Sequence, residues 1–184
     1  FEIHHALGNC NTRLNDTQQA ELHYRAALEI NPSAFEIGSN LGSLCLQAGR
    51  IQDAKRYYED ALASHPKCAK AWMGLGCCLM TMGQKSGAYD AFVKSLLIEL
   101  RNPTAIFYLT KIAYELKSYE RAELLVRKYV EVAPFNVNLI YALAGMQYHI
   151  KKYNDVRSNI DKILQMKPNH SGAIELRRLV GSIL

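Results

Sequence analysis

Apolar and small residues along this chain fall on a fixed grid. Leu7, Leu41, Leu75, Leu109 and Leu143 stand 34 residues apart. The next residue is small in four cases (Gly8, Gly42, Gly76 and Ala144) and Thr110 in the fifth. Ala20, Ala54, Ala88 and Ala122 keep the same spacing, with Val156 the departure. Four residues beyond these comes a bulky slot, filled by Tyr24, Tyr58, Phe92, Val126 and Ile160. Pro32, Pro66, Pro134 and Pro168 fall at the ends of the units, and Leu100 takes the slot between the middle two. So many coupled positions define an internal repeat.

The pattern predicts two antiparallel helices per unit, a first (A) and a second (B). One such pair cannot bury both its apolar faces alone, so units must stack. Small residues at the Gly8 and Ala20 positions let the two backbones approach, and the large residue at the Tyr24 position fills the space between adjacent units. Proline ends each B helix, because it lacks an N–H and clashes with the preceding turn. The units run 1–34, 35–68, 69–102, 103–136 and 137–170. Inner turns are expected at Gly49-Arg50, Gly83, Lys117-Ser118 and Lys151-Lys152. Where Leu100 replaces proline, the third B helix is expected to run longer, with Pro103 in the first turn of the next helix. The segment 171–184, with apolar Ile174, Val180, Ile183 and Leu184, reads as a last helix closing the stack. The expectation is an all-α chain of eleven helices without strands, forming one domain.

Within 69–102, Trp72-x₂-Leu75-Gly76 followed by Ala88-x₃-Phe92 resembles the tetratricopeptide (TPR) signature. The resemblance implies a right-handed α-solenoid of helix-turn-helix repeats with a C-terminal capping helix. It also implies a concave wall of A helices, along which an extended peptide or helix of a partner lies. Inner positions on that wall include Asn9, Asn40, Lys70, Tyr108, Lys111, Tyr114, Tyr141 and Tyr148. Five of the inner positions form, in co-chaperone TPR domains, a carboxylate clamp of lysine, asparagine, asparagine, lysine and arginine. Here they hold His5, Asn9, Asn40, Lys70 and Gly74, so three match. Without the arginine fork the strong bidentate grip is lost. The four tyrosines are expected to converge near Lys111, offering rigid faces with hydrogen-bonding tips.

Composition adds bounds. Of 184 residues, 49% are hydrophobic and 21% charged, which supplies ample core. No run approaches the roughly 18 apolar residues of a membrane span, and no signal-peptide pattern opens the chain. Phe1 is already in register with an A helix, which reads as a piece of a longer protein. Charge is uneven: 8 Lys+Arg against 9 Asp+Glu through Phe92, then 14 against 8. A basic second half suits an acidic partner or anionic surface. No RNA-reading motif accompanies it, which speaks against nucleic acid. The five cysteines, Cys10, Cys45, Cys68, Cys77 and Cys78, form no CxxC pair and read as small buried hydrophobes in a reducing, cytoplasmic setting.

Catalysis is not expected. Gly83-Gln84-Lys85-Ser86 lacks the Gly-Lys pair and preceding strand of a phosphate loop. No HxxxH, HExxH or GxSxG motif occurs. No cofactor or metal is implied. The sequence points to a non-catalytic interaction scaffold. Two other readings stay open: a targeting or regulatory region of a larger enzyme such as a transferase, and a self-assembling scaffold.

Overall fold

The computed structural model describes residues 1–183. Among these, eleven α-helices and no strands are found. They are α1 (Glu2–Arg13), α2 (Thr17–Ile30), α3 (Phe35–Gln47), α4 (Ile51–Ser64), α5 (Ala69–Thr81) and α6 (Lys85–Ile98) in a first compact unit, Phe1–Ile98. The second unit begins at Glu99 and holds α7 (Pro103–Leu116), α8 (Glu120–Val132), α9 (Val137–His149), α10 (Tyr153–Met166) and α11 (Ser171–Gly181).

The 34-residue grid becomes geometry at the inner turns. Asn15, Gly49, Gly83, Lys117 and Lys151, one per repeat, all adopt left-handed backbone, with φ of 60°, 75°, 75°, 54° and 62°. A single left-handed residue ends helix A and reverses the chain into helix B. Glycine meets that demand without a Cβ penalty, whereas the two lysines accept it.

In the first unit, close packing is built on glycine against ring. A Cβ at Gly8 would lie 2.5 Å from the Tyr24 ring, at Gly42 2.8 Å from Tyr58, and at Gly76 2.7 Å from Phe92. Each bulky residue thus seats on the backbone of the A helix of its own repeat. Around these rings one core gathers Ala20, Ala27, Ile37, Leu41 and Leu44, and another Cys45, Ala54, Ala61, Ala71 and Leu75. Fully burying a leucine such as Leu41 contributes about 1.5–3 kcal/mol. The outer face of α1 is different. Ile3 is 74% exposed, against 0% for its counterpart Ile37, and Leu7 is 41% exposed.

In the second unit, Leu109, Ile112, Leu143, Met146, Ile160 and Ile163 form the buried set. Its A helices are capped by side chains at one grid position. Asn102 accepts from the Ala105 N–H, Asn136 from Leu139, and the His170 ring nitrogen from Ala173. Each satisfies an N–H that the helix leaves without a partner.

Three expectations are corrected. The third B helix, α6, spans Lys85–Ile98, as long as α2, α4 and α10. Loss of the proline at Leu100 therefore did not extend it. The last helix ends at Gly181, buries Ala173, Leu176 and Val180, and leaves Ile174 and Ile183 partly exposed; Leu184 lies outside the described residues. Of the cysteines, Cys45, Cys68 and Cys78 are buried as expected, Cys77 is half-buried, and Cys10 is exposed. Cys10 sits on the same uncovered side of α1 as Ile3 and Leu7.

Candidate functional site: an asparagine ladder and a tyrosine cavity

Each unit carries one group of the inner-wall residues named from sequence. In the first, Asn9, Asn40 and Lys70 come from successive A helices and form a ladder of hydrogen bonds. The Tyr24 hydroxyl donates to Asn9 Oδ1 at 2.7 Å, and Asn40 Nδ2 donates to the same oxygen at 3.3 Å. Lys70 Nζ donates to Asn40 Oδ1 at 2.5 Å. Both carbonyl oxygens are engaged within the protein, so what the ladder offers a ligand is donors. Burial against the wall holds the Lys70 ammonium below the usual lysine range, with the neighbouring Cys68 partly opposing that.

The two remaining clamp positions do not complete a carboxylate grip. His5 lies over the Tyr24 ring, centroids 6.5 Å apart. Gly74 is buried, and a Cβ there would stand 2.1 Å from Tyr58 Cζ. The space in which an arginine would begin is filled by a core tyrosine. Tyr58 is fixed in turn by a 3.1 Å hydrogen bond between its hydroxyl and that of Ser43.

In the second unit, Tyr114, Tyr141 and Tyr148 line one cavity of about 400 Å³ together with His149, Leu176 and Leu179. The Tyr114 hydroxyl donates to the Ala142 carbonyl at 2.7 Å, and burial pushes its pKa up to about 12. It is therefore a wall of the cavity, locked to α9. Tyr141 is 36% exposed and tilts against His170 at 4.9 Å. Tyr148 meets Tyr153 edge-on at 5.9 Å. His149 stacks flat on Tyr119, with ring centroids 4.5 Å apart and planes 5° from parallel.

The structure does not gather all the tyrosines around Lys111. Lys111 is exposed and Tyr108 packs edge-on against Phe107 at 5.3 Å, and neither lines the cavity. Sequence reading missed Leu176 and Leu179, which come from α11 and form the apolar side. Two leucines three residues apart on the closing helix were the available signal. Tyr119, which orients His149, lies between helices and carries no periodic signal. Among the described residues no group of three or more His, Cys, Asp or Glu could hold a metal ion. No helix among them is long and apolar enough to cross a membrane.

Paired helices, one left-handed turn residue per 34 and glycine-on-ring packing define a tetratricopeptide solenoid. Solved structures share this fold. MamA is similar at a TM-score of 0.70 with 17% identity, covering 91% of each chain. YrrB, described as a TPR protein with an unusual peptide-binding site, is similar at 0.69 with 18% identity, covering 93% of this chain and 88% of its own. The first TPR of Spaghetti (RPAP3), bound to the HSP90 peptide SRMEEVD, is similar at 0.60 with 19% identity, covering 62% and 91%. A search of curated proteins found no sequence match. Family models are more specific. Residues 1–34 match the tetratricopeptide repeat, and residues 39–168 match the middle TPR-like domain of cilia and flagella-associated protein 70. The chain belongs to that family of middle TPR-like domains.

Proposed function

We propose that this chain is a non-catalytic scaffold that holds a helix or extended segment of a partner protein on its A-helix walls. The observation that carries this reading is the tyrosine cavity of the second unit. It is apolar on the Leu176 and Leu179 side and lined by tyrosine and histidine on the other. Such a mixture receives an aromatic or aliphatic anchor while meeting its polar edge. Tyr141, the most open of the three rings, is the first contact. Lys111, exposed on the A helix α7, adds attraction for an acidic segment, in keeping with the basic second half.

In the first unit, the amide hydrogens of the Asn9–Asn40–Lys70 ladder suit backbone carbonyls of an extended peptide rather than a clamped carboxylate. Recognition of this kind is burial on a preformed wall, without bond-making or a cofactor. Three buried thiols are in keeping with a reducing, cytoplasmic setting.

The test is a pull-down from source-cell lysate with the wild-type domain beside the Tyr141→Ala/Lys111→Ala double variant. A partner retained by the first and lost by the second supports the reading. Partners held equally by both would exclude the tyrosine cavity as the docking site.

A further inference from the structure

A separate cleft lies between the B helices of the second unit. It has a volume of about 300 Å³ and a floor of Ile140, Leu143 and Gln147 from α9. Its two sides come from α8 and α10. It shares no residue with the tyrosine cavity.

The internal repeat shows what is unusual here. At the grid position of Gln147, the three preceding repeats carry Cys45, Leu79 and Ala113. At that of Asn159 they carry Tyr57, Ala91 and Leu125. Only the first repeat, with half-buried Asn11 and His23, is polar at both. Gln147 and Asn159 are nonetheless buried, at 1% and 6% exposure. A fold that packs these positions with apolar groups three times does not need amides at them.

The amides are wired in one direction. Lys152 Nζ donates to Glu123 Oε2 at 2.8 Å and Gln147 Nε2 donates to Glu123 Oε1 at 3.1 Å. Asn159 Nδ2 then donates to Gln147 Oε1 at 2.8 Å. The chain ends at Asn159 Oδ1. Among the described residues that oxygen has no hydrogen-bond partner, and no buried side-chain oxygen or nitrogen goes unpaired. The carbonyl is therefore open, and Asn159 lines the cleft.

An open acceptor at the bottom asks for a donor. The rim sets its charge. It carries two carboxylates, Glu131 and Asp155, and two cations, Lys162 and Arg127, of which Arg127 is drawn to the buried Glu123 at 3.6 Å. Val130, Ile140 and Leu143 supply apolar wall for a stem. We infer that this cleft is a second partner-binding site that takes an arginine side chain. Its guanidinium donates to Asn159 Oδ1 and pairs with Asp155 and Glu131, and its methylenes lie on the apolar wall. A planar cation with five donors in a fork fits one carbonyl flanked by two carboxylates better than an ammonium does.

The test is a titration of the ¹⁵N-labelled chain with N-acetyl-arginine amide, read on the side-chain NH₂ signals of Asn159 and Gln147. N-acetyl-norleucine amide and N-acetyl-glutamate amide run alongside. The expected result is a saturable shift with the arginine compound, weakened at least about tenfold in Asn159→Leu. Leucine fits the equivalent position 125, but at 159 it leaves Gln147 Oε1 without its donor, so this variant is expected to melt lower and is titrated well below its melting temperature. Asp155→Asn, at an exposed site, should weaken binding without touching the core. Three results would overturn the inference: no saturable shift in the wild type, undiminished binding by Asn159→Leu, or equal binding of either control compound.

Discussion

Glu123 and Lys152 stand in the same relation as Glu21 and Arg50, three repeats earlier. In each pair a B-helix carboxylate reaches the inner turn of the following repeat, 29 residues on. The intervening pairs at these positions, Lys55 with Gln84 and Tyr89 with Ser118, do not set an acid against a base. The bridge therefore clips one repeat to the next once in each unit.

Burial pushes the Glu123 carboxyl up. Hydrogen bonds from Lys152 and Gln147, with the charges of Lys152 and Arg127, outweigh that and hold it below the ordinary glutamate range. Glu21 is lowered too, chiefly by its hydrogen bonds with Arg50. A folded-state value below the unfolded one gives stability that is present at neutral pH and lost as pH falls through the folded value. Melting temperature measured from pH 7 down to pH 3 should drop below about 4.5, and less steeply in Glu123→Gln. Lys152→Met should cost about 2 kcal/mol at neutral pH, since it strands a buried carboxylate behind a half-exposed partner.

Left-handed lysines are a second reserve of strain. Lys117→Gly and Lys151→Gly should each stabilise the chain by about 0.5–1 kcal/mol, by removing the Cβ conflict at positive φ. Urea denaturation reads this directly, and an unchanged midpoint in both variants would contradict it. Gly49→Ala should move the other way by a similar amount.

The tyrosines of the cavity should separate by role. Tyr114→Phe removes the hydrogen bond to the Ala142 carbonyl and should cost about 1 kcal/mol. Tyr141→Ala should change stability by less than about 1 kcal/mol while weakening partner capture. If thermal unfolding shows Tyr141→Ala to be the more damaging, the ring is core.

Thiol chemistry gives a direct readout of the packing. Burial pushes Cys77 and Cys78 up to about 11, and Cys45 is raised as well. The thiolate is the reactive form. At pH 7.5, mass spectrometry after brief iodoacetamide treatment should find one fast adduct, on exposed Cys10. Fast labelling of Cys78 would mean that α5 is not packed as described.

Much of the fold was legible because repeat proteins state each constraint several times. The leucine, glycine and alanine positions recur, so chance and meaning separate without other sequences. The four inner turns named from sequence, at Gly49, Gly83, Lys117 and Lys151, follow from that grid. What stayed hidden were relations that occur once. The Gln147–Asn159 wiring occurs in a single repeat, and looks on paper like one glutamine near the end of apolar α9 and one asparagine on polar α10. Likewise the approach of Leu176 and Leu179 to Tyr114 depends on how α11 lies against α9. The grid fixes which residues face a neighbouring helix. It does not fix which side chains close a cavity, because that depends on rotamers and on the last helix, which has no successor to be compared with.

Tyr58 filling the place above Gly74 has a consequence for how this wall can change. Gly74→Ala alone should cost on the order of 1–3 kcal/mol, because the ring beneath must move from a full core. Gly74→Arg should unfold the first unit rather than supply the missing fork. A smaller residue at 58 would have to come first, and that change by itself opens a void between Gly42 and Gly74. Two steps, each harmful alone, separate this surface from a carboxylate clamp. Drift at single positions is therefore held on the near side of that gap, and the first unit's own core stands against a clamped terminus.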